Sequence, residues 1–105
     1  MGDTAFETRA DAELDHLAER LEAASQALEV DFEPGTLTVE LDDGRQYLLN
    51  RHYINREIWL SSPVSGAHHF VAEGEGWRST RGPQTLRALL ADELASILGH
   101  AVDLD

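Results

Sequence analysis

The spacing of apolar residues changes period along this chain, and each change marks a new element. From about Asp11 to Leu28 the leucines fall at Leu14, Leu17, Leu21 and Leu28, with Ala24 between. Spacings of three and four residues mark the buried stripe of an amphipathic helix. The period then becomes two. Val30 and Phe32 alternate with Glu29, Asp31 and Glu33; beyond Pro34-Gly35, Leu37, Val39 and Leu41 alternate with Thr36, Thr38 and Glu40. This predicts a hairpin with one buried face and one wet face. Asp42-Asp43-Gly44 turns the chain into a strand over 46–51, whose facing stays open because Tyr47, Leu48 and Leu49 are all apolar. Further strands are predicted at 57–61, 68–72 and 77–79, the last two joined around Gly74 and Gly76. Thr85 can cap a closing helix with apolar positions Leu86, Leu89, Leu90, Leu94 and Ile97, and Gly99 is a natural stop.

Connections this short predict an antiparallel meander of five or six strands between two helices. If both helices cover one face of the sheet, its other face is open to water. The expected fold is α+β, a two-layer sandwich with two helices packed on one face of a five- to six-stranded antiparallel sheet. With 105 residues, one domain spanning 1–105 can bury a core without disulfides. The absence of cysteine excludes thiolate metal sites and cysteine catalysis. No apolar run reaches the roughly 18–20 residues of a membrane span. The acidic N-terminal stretch lacks the basic and apolar regions of a signal peptide, so the expectation is a cytoplasmic protein.

Charge sharpens the picture. The net charge is −12, and all eight basic residues are arginine. That sign argues against nucleic acid as a partner and favours cations or a basic protein surface. Residues 1–43 carry a net −11, residues 44–82 a net +2 and residues 83–105 a net −3. A surface adapted to salt would spread its acids evenly, so the clustering points to function.

On a helical projection Asp11, Asp15, Glu19 and Glu22 fall within about 80° of one another. Their i,i+4 pairs repel, at a cost of roughly 0.2–0.5 kcal/mol each. The helix dipole is expected to reward Asp11 and Glu13 in the first turn and to offer nothing to Glu19 or Glu22. On the next strand Glu29, Asp31 and Glu33 share the wet face, which extends an acidic ridge along one edge. Carboxylates alone suit hard cations that prefer oxygen ligands, and a shallow exposed site of this kind binds weakly.

The strand at 57–61 sends Ile58 and Leu60 to the core and Glu57, Trp59 and Ser61 to the open face. A tryptophan there suggests a docking surface, and Arg51, Asn55 and Arg56 lie close in sequence to supply positive charge beside it. The five histidines read as surface or structural residues, with His68 and His69 on opposite faces. No serine elbow, phosphate-binding glycine loop or paired Glu-x-x-His signature is present, so an enzyme is not expected.

Residues 50–66, Asn-Arg-His-Tyr-Ile-Asn-Arg-Glu-Ile-Trp-Leu-Ser-Ser-Pro-Val-Ser-Gly, resemble the signature of the frataxin family, approximately N-[KR]-Q-x-P-N-[KR]-Q-[IV]-W-L-[SA]-S-P-x-S-G. The leading acidic helix, the Asp31–Glu33 strand and the closing Leu-Leu helix extend the likeness over nearly the whole chain, and the length is similar to that of bacterial members. The resemblance implies weak binding of Fe(II) or Fe(III) on the ridge and a role in iron–sulfur cluster assembly. It also implies docking on the cysteine desulfurase and its scaffold protein, as iron donor or regulator. The implied metal residues are Asp11, Glu19, Glu22, Asp31 and Glu33, with Asp15 and Glu29 on the same surfaces and Asp3 as an N-terminal candidate. Asn50, Arg51, Asn55 and Trp59 match the partner-binding motif. The expected state is a monomer, or an oligomer under iron load. The sequence departs from the pattern at His52, Ile54 and Glu57, where the family usually has Gln, Pro and Gln. Ala18 and Ala23 thin the ridge where bacterial members often carry acids.

Overall fold

The computed structural model describes residues 3–105, with side chains from Ala5 onward. Helix α1 runs Asp3–Ala24, strands follow as β1 (Glu29–Glu33), β2 (Thr36–Glu40), β3 (Gln46–His52), β4 (Glu57–Ser62), β5 (Gly66–Glu73) and β6 (Gly76–Ser79), and α2 spans Leu86–Leu98. The six strands form one antiparallel sheet in sequence order. Both helices pack on one face, α1 against β1, β2 and β3 and α2 against β6.

Helix α1 begins about two turns before the leucine pattern and stops before Leu28, a correction to the predicted span 11–28. The buried stripe continues upstream in smaller and aromatic residues. Ala10 is fully buried, and Phe6 packs edge-on against Trp77 at 6.2 Å. At the other end Ser25 turns the chain, its Oγ accepting from Ala27 N at 3.0 Å, and Leu28 is buried beyond the helix. The early start also places Asp11 and Glu13 in mid-helix, so the dipole does not explain them. Helix α2 follows expectation: Thr85 Oγ1 accepts from Ala88 N at 3.2 Å, and Gly99, with φ 80°, donates its N–H to Ala95 O at 2.9 Å.

The ladder settles the facing of β3. Tyr47 and Leu49 are fully buried under the helices, and Leu48 stands on the open face. The core joins Leu14, Leu17 and Leu21 of α1 to Leu37, Leu49, Ile58 and Phe70 of the sheet and Leu90 and Leu94 of α2. Two long-range fasteners hold the helical layer together. Arg87 donates to both oxygens of buried Glu13, at 2.7 and 3.0 Å, tying α2 to α1. The C-terminal segment returns over α1, burying Leu104, whose carbonyl lies 2.7 Å from His16 Nε2. Leu104→Ala should therefore cost about 2 kcal/mol and lower Tm by about 10 °C, read by thermal denaturation.

Candidate functional site

The acidic ridge divides into two rows on opposite sides of the β1 edge. On α1, Asp15, Glu19 and Glu22 are exposed. On β1 the alternation that half-buries Val30 and Phe32 against the core turns Glu29, Asp31 and Glu33 the other way, where all three are exposed. Among the described residues no three acidic or histidine side chains gather closely enough to enclose a metal ion. An ion on this surface would keep most of its water and take one or two carboxylates at a time. The side chain of Asp3 lies outside the described residues.

Asp11 differs from its neighbours on the stripe. One of its oxygens accepts from Gly35 N at 2.9 Å and the other from the Arg51 guanidinium. It joins α1 to the β1–β2 turn and to β3, and it could bind a cation only by releasing one of these partners. Gly35, with φ 83°, fits beneath the guanidinium because it has no Cβ; a Cβ there would meet Arg51 Nε at 3.0 Å.

Register adds one acid that strand alternation alone did not single out. Glu40 of β2 is the cross-strand partner of Glu29, and Asp31 faces Thr38. With Val30 and Gln46 these residues line a shallow groove on the open face. Like charges placed directly opposite in a ladder repel. The hairpin register, fixed by the Pro34-Gly35 turn, was the signal that could have found this pair.

Arg51 is not on the open face, which corrects the sequence expectation. It shares parity with Tyr47 and Leu49 and pairs with buried Ile58 across the ladder, so its side chain lies on the helix side. There it bridges Asp11 and Glu7 and sits over the Tyr53 ring at 5.4 Å. Burial is the largest single effect and works against its charge, but the hydrogen bond to Asp11, the charge of that carboxylate and Tyr53 together outweigh it and raise the pKa above the ordinary value. Asn50 does face outward, as the register partner of Trp59. Asn55 is exposed in the β3–β4 turn, where its N–H points at His52 Nδ1 at 3.4 Å.

Trp59 lies on the open face as expected, but its neighbours are imidazoles and a carboxylate. His52 of β3 and His69 of β5 stack on its two sides, with ring centroids 3.9 and 4.3 Å away and planes within 6° and 5° of parallel. Trp59 Nε1 donates to Glu57 Oε1 at 2.7 Å, and the same oxygen lies 3.5 Å from His69 Nδ1. Alternation already puts Glu57 beside Trp59 on β4, but the stacking of His52 and His69 on the indole depends on the registers of three strands and is not legible in local spacing.

On the helix side Glu93 of α2 gathers hydroxyls. Its Oε1 accepts from Tyr47 at 2.8 Å and from Ser62 at 2.6 Å, and its Oε2 accepts from Ser65. Ser65 Oγ also lies 2.8 Å from His68 Nε2. The sequence suggested no serine, histidine and acid in one place, yet the fold brings these three together. The order is wrong for nucleophile activation, since the carboxylate holds the serine and the imidazole faces Oγ without a carboxylate behind it. The arrangement instead staples the loop after β4 to α2.

Comparison with known proteins agrees with this architecture. The family model described as a frataxin-like domain matches residues 1–100. The iron-sulfur cluster assembly protein CyaY of Neisseria meningitidis is 28% identical over 105 residues, covering 100% of this chain and 97% of that protein. Its Neisseria gonorrhoeae counterpart is 28% identical over 104 residues, covering 99% and 96%. Among solved structures, frataxin from Psychromonas ingrahamii superposes with a TM-score of 0.90 at 21% identity, over 100% of this chain and 99% of that one, a likeness of fold. Trimeric frataxin of Saccharomyces cerevisiae, complexed with ferrous, gives 0.77 at 31% identity over 87% and 86%. With its two-helix, six-stranded sandwich and a family match over nearly its whole length, this chain belongs to the frataxin-like family.

Proposed function

We propose that this chain, as one domain over 1–105, is a non-enzymatic, iron-binding protein of cytoplasmic iron–sulfur cluster assembly. It holds Fe(II) or Fe(III) weakly on the acids flanking β1 and docks on the cysteine desulfurase and its scaffold protein, as iron donor or regulator. The observation that carries this reading is the β1 edge itself. Exposed carboxylates stand on both sides of it, and Glu29 faces Glu40 across the ladder. Such a pairing is unfavourable in isolation and becomes favourable once a cation lies between. The iron-sulfur cluster assembly role of the Neisseria relatives and the ferrous complex of the yeast protein support the same reading.

The ligands we propose are Asp15, Glu19 and Glu22 on α1 and Glu29, Asp31, Glu33 and Glu40 on the sheet, with Asp11 available only if Arg51 lets go. Trp59, Asn50 and Asn55 form the docking surface on the open face. An anaerobic Fe(II) titration followed by amide NMR should broaden resonances near residues 11–33 and around Glu40 first. The double reversal Glu19→Lys and Glu22→Lys should weaken both iron and desulfurase binding at least about fivefold in a folded protein. Unchanged affinity for both would overturn the proposal.

A second reading, a metal-independent acidic module, is favoured by the absence of any three-ligand cluster among the described residues. It requires that desulfurase docking weaken with salt yet ignore chelators and added iron.

A further inference from the structure

Trp59 is enclosed between two side chains whose charge depends on solution pH. Histidine is the side chain that ordinarily changes charge between about pH 5 and 8. An imidazole stacked on indole is a neutral ring contact, and an imidazolium in the same place is a cation over a π-face. At His69, a proton would turn the 3.5 Å approach to Glu57 into an ion pair. That carboxylate, only 14% exposed, is already bonded to the Trp59 indole N–H. At His52 a proton on Nδ1 would remove the acceptor for the Asn55 N–H at the hairpin turn. Proton uptake therefore acts on the indole from both faces and on the turn beside it.

The surroundings set the sign. Around His52 the titratable and charged groups are Glu57, its register partner on β4, and Tyr53 and Arg56 in the following turn. Around His69 they are Glu57 on β4, Glu73 further along β5, Arg78 on β6 and Arg81, which lines one groove with His69. Arg78 is bonded to Glu73 at 2.6 Å. Toward β1 the same open face carries Glu29, Asp31, Glu33 and Glu40. The negative excess of the open face lies toward β1, so with neutral imidazoles the face as a whole complements a basic surface spanning β1 to β5, and two added protons reduce that complementarity.

We propose that the His52–Trp59–His69 stack is a proton-responsive docking surface for a basic protein partner, released as the imidazoles charge. The proposal rests on the reading that the Trp59 face docks, and it adds how that docking is regulated. Its first test needs no partner. The Trp59 indole N–H resonance should move between about pH 8 and about pH 6 in the native chain and stay fixed in the double variant H52Q/H69Q. An indole resonance indifferent to pH in the native chain would overturn the proposal.

The second test uses the cysteine desulfurase as the basic probe, at low salt. Its affinity for the native chain should fall about five- to tenfold from about pH 8 to about pH 6, and that ratio should collapse toward the desulfurase's own pH dependence in H52Q/H69Q. Equal ratios in the two proteins, or tighter binding in acid, would overturn the inference and leave the docking reading intact. No binding at any pH would overturn the docking reading and its regulation together.

Discussion

Replacing Glu93 with alanine should lower stability by about 3 kcal/mol, read by urea denaturation at neutral pH. Its carboxylate is the common acceptor for Tyr47, Ser62 and Ser65, and the first two are buried. Alanine leaves both hydroxyls without their ionised acceptor, and the loss of these charge-assisted hydrogen bonds is the larger part of the effect. The Ser62 oxygen also accepts from Val64 N at 3.0 Å and Ser65 N at 3.1 Å, so the loop after β4 should loosen too. Glu93→Gln, which keeps one carbonyl oxygen, should lose about half as much.

The acid limb provides an independent check on Glu93. Burial pushes its pKa up, but hydrogen bonds from Ser62, Ser65 and Tyr47 outweigh this and hold it below the ordinary 4.5. Since the folded value lies below the unfolded one, the stabilisation is fully present above the ordinary carboxylate range. It is lost as pH falls through the folded value. The native chain should lose stability more steeply than Glu93→Ala below about pH 4.5. Parallel acid limbs would show that the network contributes nothing.

Arg87→Ala should cost about 3 kcal/mol for a different reason. Glu13 is 5% exposed, and both its oxygens are bonded to that guanidinium. The bond to Glu13 raises the pKa of Arg87 against the opposing effect of burial, which marks the pair as mutually dependent. Removing the arginine strands a carboxylate between two helices. The double variant Glu13→Leu with Arg87→Met should recover most of the loss, because a buried ion pair contributes little beyond an apolar pair of similar size. A single variant as stable as the native chain would mean that water reaches Glu13 freely.

Periodicity in the sequence was enough to reach the layer architecture, the antiparallel order and the α2 caps, because each depends on residues within a few positions of one another. Leucine spacing alone marks too short a helix α1, because Phe6 and Ala10 continue the same stripe with less conspicuous residues. The outward position of Trp59 was legible from Ile58 and Leu60. Arg51 was misplaced because three consecutive apolar residues hid the parity of β3, and only pairing with β2 and β4 resolves it. Glu40 opposite Glu29, the rings beside Trp59 and the hydroxyls around Glu93 depend on registers or on contacts across layers. Local spacing carries no information about such meetings.

The strictly sequential order of the sheet has a kinetic consequence. Every strand pairs with the one before it across a short turn, so the ladder can zip up through small loop closures. The helical layer cannot. Glu13 meets Arg87 across 74 residues, and His16 meets the Leu104 carbonyl across 88. Closure of α2 and the C-terminal segment over α1 is therefore expected late in folding, after the rate-limiting barrier. Arg87→Ala and Leu104→Ala should leave the refolding arm of a chevron almost unmoved and raise the unfolding arm at unchanged slope. The lifetime of the native molecule is thus set at its helical cover, while its rate of formation is set in the sheet that presents Trp59.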